Sequence, residues 1–104
     1  MFYHVVTMQL TEAADAQFHR KVETYAQRVR SECSGIVHYH YCRNVAARAQ
    51  GYTYVVAGVF ESSEMHDRYQ VSPAHQEMKT YMMPFIADMV VFDSDPVADS
   101  AAEG

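Results

Sequence analysis

The 104 residues suffice for one compact domain and are too few for two with separate cores. Hydrophobic side chains make up 49% of the chain and charged ones 20%, a globular balance that argues against a disordered protein. The net charge of −5, with eight scattered Lys and Arg, argues against nucleic acid as a partner, because phosphate binding needs a basic face. No run approaches the length of about 18 apolar residues that a membrane helix needs, and Met1-Phe2-Tyr3-His4 does not open a secretory signal. A cytoplasmic protein with no membrane partner is therefore expected.

In chain order, residues 2–10 are rich in β-branched and aromatic side chains and predict a strand. Its faces are Phe2, His4, Val6, Met8, Leu10 and Tyr3, Val5, Thr7, Gln9. Thr11 offers a cap for a following helix of about six turns that ends near Cys33, with Glu12 and Asp15 in its first turn. Phe18, Val22, Tyr25 and Val29 recur at helical spacing and give that helix its apolar stripe. Arg20, Lys21, Gln27 and Arg28 form the solvated face, and Gly35 supplies the stop.

A second strand is expected over 36–43, with His38, His40 and Cys42 on one face and Val37, Tyr39 and Tyr41 on the other. His-x-His followed by Cys presents ligands of the type zinc accepts, but local spacing fixes no fourth ligand. The simpler reading is an aromatic-rich strand whose histidines are hydrogen-bonded at a wet edge or interface, with no metal. Strand geometry sets Cys33 and Cys42 about 20 Å apart, too far to bridge, so both are expected as free thiols in a reducing compartment.

Residues 44–51 read as a loop with Arg43 at its entrance and Arg48 within it, either solvated or able to meet an anion. Tyr52 to Phe60 predicts a third strand, apolar or aromatic on both faces, with Gly58 leaving room for another chain or a ligand. Ser62 and Ser63 cap a short helix through Tyr69. Ser72-Pro73 then restarts a helix that carries His75 in its first turn and runs to about Met82. The positive helix start disfavours an imidazolium, so His75 is expected neutral and able to accept a proton, with the Tyr69 phenol nearby as a donor. Met89 to Asp93 predicts a last strand, and 95–104 a disordered acidic tail behind a domain over 1–94.

This order is the βαββαβ arrangement of a ferredoxin-like α+β sandwich with a four-stranded antiparallel sheet. Both helices cover one sheet face, and half-exposed strands should then alternate cleanly between apolar and polar residues. None of the four does. A second copy packed sheet against sheet, a homodimer with a barrel-like core, is the economical way to bury the other face.

With these elements in place, the chain resembles the stress-responsive A/B barrel (Dabb) family of the dimeric α+β barrel group. The resemblance spans roughly residues 3–94 and is carried by several pieces in one order. These are His4 in Tyr-His-Val-Val, Arg43-Asn44-Val45, Gly51-Tyr52-Thr53, Phe60-Glu61-Ser62, Tyr69 followed by Pro73-Ala74-His75, and Val90-Val91-Phe92-Asp93. It implies a cavity between sheet and helices. In the family's plant olivetolic acid cyclases, residues matching His75 and Tyr69 act as base and hydrogen-bonding partner, without metal or organic cofactor, and one matching His4 lines the cavity. Tyr54 and Ser72 stand where those cyclases have histidines.

The resulting expectation is a small-molecule pocket lined by His4, Val6, Met8, Tyr54, Val56, Tyr69 and His75. It would take an apolar or carbonyl-containing ligand, and any catalysis would be cofactor-independent, cyclase- or lyase-type proton transfer. Two alternatives are a non-catalytic, stress-associated oligomer and a cofactor-free monooxygenase of the related barrels. The latter typically use a tryptophan, and this chain contains none.

Overall fold

The computed structural model describes residues 1–96; most of the tail expected to be disordered, 97–104, lies outside them. Five elements follow the expected order closely: β1 (Phe2–Leu10), α1 (Ala16–Glu32), β2 (Ile36–Arg43), β3 (Tyr54–Phe60) and β4 (Ile86–Ser94). Between β3 and β4 the second helix is broken into α2 (Ser63–Gln70) and α3 (Pro73–Met82), followed by a 3-10 turn over Met83–Phe85. The strands form one antiparallel sheet in the order β2-β3-β1-β4. This is the ferredoxin-like α+β fold. Among the described residues no helix is long and apolar enough to cross a membrane.

Helix α1 starts four residues later than expected. Thr11 is not its cap, because its amide donates to the Phe85 carbonyl at 2.8 Å and its own carbonyl accepts from Ala14 in a turn. Asp15 caps instead, its side chain accepting from the Phe18 amide at 3.0 Å. The helix is 17 residues long, under five turns rather than six. Its buried residues are Phe18, Val22, Ala26 and Val29, with Tyr25 displaced to the edge against Tyr81. Gly35 does follow its end, at φ +72°.

Helices α1 and α3 lie over the face of the sheet that carries Met8, Tyr39, Val56 and Phe60, and these residues form the core with the buried side of α1. Gly58 sits on that face, and the space it leaves is filled from within the chain. A β-carbon there would come within 3.1 Å of the Phe60 ring and 3.3 Å of Tyr39. The register shifts between Ile36 and His38, which turns Val37 outward at 40% exposure instead of placing it with Tyr39 and Tyr41.

On the opposite face His38, His40 and Cys42 are exposed, and Cys33 and Cys42 are both free thiols. The two rings of His38 and His40 lie 6.1 Å apart, and they belong to no cluster of potential metal ligands among the described residues. β4 is the edge strand beside β1, and on its outer side Val90 and Phe92 are more than half exposed.

Candidate functional site

The site grows from the break between α2 and α3. Ser72 makes the break a joint: its hydroxyl donates to the Tyr69 carbonyl at 2.7 Å and accepts from the His75 amide at 3.3 Å. Pro73 occupies the first helical position, where its missing N–H costs nothing. Tyr69 at the end of one helix and His75 at the start of the next are thereby brought into ring contact, tilted by 44° with centroids 4.4 Å apart.

His75 is half-buried, and its Nδ1 lies 3.0 Å from the Gln70 carbonyl oxygen. A carbonyl only accepts, so Nδ1–H donates and the neutral ring carries its lone pair on Nε2. Burial holds the imidazole below the usual histidine range; the bond to Gln70 opposes this, and the neighbouring His4 and Lys79 add to it. Desolvation, more than the helix start, thus keeps this side chain neutral.

Tyr69 is 2% exposed, and burial pushes its phenol far above the ordinary tyrosine range, so it remains a proton donor. Its hydroxyl is 2.7 Å from that of Tyr39, which in turn reaches the Met78 Sδ at 3.5 Å. When Tyr39 donates to Tyr69, the Tyr69 proton is free for a ligand. When Tyr39 donates to the thioether, Tyr69 donates to Tyr39. Tyr69 can therefore turn its proton outward without leaving a buried oxygen unpaired.

These side chains line a cavity of about 220 Å³ between the sheet and α2/α3. Of the residues expected in it, His4, Val6, Met8, Val56, Tyr69 and His75 are brought together. Tyr54 is not. It points to the same sheet face but lies under α1, stacked on His19 at 4.3 Å and on Tyr41 at 5.5 Å.

Met78 and Met82 line the cavity too, as methionines at helical spacing can, whereas Tyr39 and the contributions of β4, namely Met89, Val91 and Asp93, were missed from the sequence. Alternation along β2 already separated Tyr39 from the exposed histidines, which was the available signal. The place of β4 next to β1 depends on long-range pairing, in which Asp93 falls opposite His4 and Val91 opposite Val6. The His4 Nδ1 and the Asp93 carboxylate are 2.5 Å apart.

An antiparallel four-stranded sheet, α1 and the broken α2/α3 helix over one face, and a cavity at the break define the class as a ferredoxin-like α+β domain. The chain belongs to the stress responsive A/B barrel domain (Dabb) family, which it matches over residues 2–96. Curated proteins yield no sequence match.

Solved structures share the fold. An Arabidopsis thaliana protein is similar at 21% identity over 93% of this chain and 96% of its own, with a TM-score of 0.80. A dimeric ferredoxin-like protein of unknown function from Jannaschia sp. is similar at 17% identity, 91% and 98% coverage and a TM-score of 0.80. The hydroxynitrile lyase of Passiflora edulis is similar at 14% identity, 89% and 90% coverage and a TM-score of 0.78.

Proposed function

We propose that the chain binds a small apolar or carbonyl-containing molecule in the cavity between sheet and broken helix, with His75 as general base and Tyr69 as hydrogen-bond donor. The observation that carries this reading is the state of the pair. His75 commits Nδ1 to the Gln70 carbonyl and keeps Nε2 for a proton, beside a buried phenol that stays protonated. Removing a proton beside a carbonyl needs a base at the carbon and a donor at the oxygen where charge develops, and these two groups supply both. Side chains alone suffice for that step, so the chemistry is of the cofactor-independent, cyclase or lyase type.

The cavity of about 220 Å³ falls below the ~300–1,000 Å³ of drug-sized sites, which favours a compact ligand. Methionines 78, 82 and 89 in its wall adapt to varied apolar shapes. The hydroxynitrile lyase among the fold neighbours supports lyase chemistry on this framework; at 14% identity it assigns no residue here.

The same chain assembles, in this reading, as a homodimer through its outer sheet face. Val90 at 54% and Phe92 at 56% exposure, with Val5, Val55 and Val59 on the same face, favour a second copy as the cover, and a fold neighbour is described as dimeric. This exposure also favours the second reading, a non-catalytic oligomer in which the cavity is incidental.

Titrating the protein with short ketones, aldehydes and β-diketones while following the Tyr69 and His75 ring resonances separates the two. Ligand-dependent shifts for at least one class, weakened in Tyr69→Phe and His75→Ala, are expected. Unmoved resonances with every class would leave only the oligomer.

A further inference from the structure

We propose that His4, His66 and Asp93 form a binding site for one divalent cation of the zinc class, set in the wall of the cavity. One potential ligand atom from each residue lies within 4.8 Å of the other two. The three come from β1, α2 and β4, so the fold and not local spacing assembles them. His4 and His66 are 7% and 3% exposed, with ring centroids 4.6 Å apart, while Asp93 opens toward solvent.

The donor set decides the class of ion. Two imidazoles and a carboxylate match zinc and its first-row neighbours, whereas calcium and magnesium take sets made of oxygen. His66 has no strong competing partner in its present hydrogen bonds. The Gln70 amide nitrogen reaches both of its ring nitrogens, at 3.2 and 3.4 Å, and so is committed to neither. Phe2 and Phe60 pack on the His66 ring at 4.7 and 5.2 Å, an apolar surround that strengthens coordination.

Loading requires a modest rearrangement. Ligand atoms about 2.1 Å from a tetrahedral zinc stand ~3.4 Å from one another. The His4 to Asp93 contact, 2.5 Å without the ion, must therefore widen and His66 must close in. Asp93 lies one residue from the end of edge strand β4 and its side chain is 38% exposed, so it is the ligand free to move. Taking the cation on Nδ1 of His4 also places that ring's proton on Nε2. His4 and Asp93 both line the cavity, so the fourth position, left to water or a ligand, faces it. The site does not depend on the proton-transfer reading of His75 and Tyr69.

The test is titration of the untagged full chain with zinc by calorimetry and with cobalt(II) by visible absorption. Wild type, His66→Gln, Asp93→Asn and a His38→Ala/His40→Ala control are compared, each first shown to be folded by circular dichroism. One equivalent of zinc per chain is expected, weakened more than tenfold by His66→Gln and by Asp93→Asn and unchanged in the control, with an intense tetrahedral-type cobalt spectrum. If His66→Gln fails to fold, the partly exposed Asp93→Asn decides. Absence of stoichiometric binding overturns the site, as does binding lost in the His38/His40 control and kept in Asp93→Asn.

Discussion

His75 owes its proposed role as a base to one hydrogen bond. The Gln70 carbonyl fixes the tautomer, and burial keeps the ring uncharged at neutral pH. His19 and His66 are likewise held below the usual range, chiefly by burial. For such groups the unfolded chain takes up protons first as pH falls through about 6.5, so stability is lost below that value and is level above it. Urea midpoints should therefore drop between pH 7.5 and pH 5.5, less steeply in His75→Gln; equal slopes in both proteins would contradict this. The Tyr39–Tyr69 pair gives a second residue-level expectation. Removing either hydroxyl leaves the other without its tyrosine partner at a cost of about 1–3 kcal/mol, whereas removing both costs less than the sum. A double-mutant cycle on Tyr39→Phe and Tyr69→Phe, read by urea denaturation, checks it.

At the scale of elements, the Ser72 joint was legible because Ser-Pro carries its meaning locally: a hydroxyl cap and a preset φ need no tertiary information. Ser72→Ala should cost about 1 kcal/mol through the lost cap, and it should also disturb the Tyr69 resonances through the lost bond to that carbonyl. Gly35 was legible for the same reason. Its φ of +72° and the Met65 side chain, whose Cγ would lie 2.2 Å from an added β-carbon, make Gly35→Ala destabilising by upwards of ~1 kcal/mol in the same measurement. The start of α1 was not legible, since Thr11 and Asp15 are both competent caps. The choice fell to a distant carbonyl, that of Phe85, which holds the Thr11 amide. Tyr54 illustrates a further limit. Alternation placed it on the correct face, but two helices share that face, and His19 of α1 takes it out of reach of the cavity.

At the scale of the molecule, the missing polar alternation in every strand is by itself the signal of a second face that needs burial. The outer face is apolar enough to need a cover, and sedimentation at micromolar concentration should give a dimer that Phe92→Lys with Val90→Asp converts to monomer. A wild-type monomer would contradict it. The cavity opens on the other face, between β4 and the broken helix, so the proposed assembly and the proposed ligand binding should be separable by mutation. Strand order was the part of the site that no local pattern encoded, and with it went Asp93, Val91 and Met89. Whether this cavity moves a proton beside a carbonyl is read out by proton–deuterium exchange at the α-carbon of a small β-diketone or ketone in deuterated buffer, followed by NMR. Exchange above the buffer rate, lost in His75→Ala and reduced at least tenfold in Tyr69→Phe while both variants remain folded, is the predicted result. Exchange at the buffer rate with every carbonyl compound that binds, or full exchange in His75→Ala, would contradict the account.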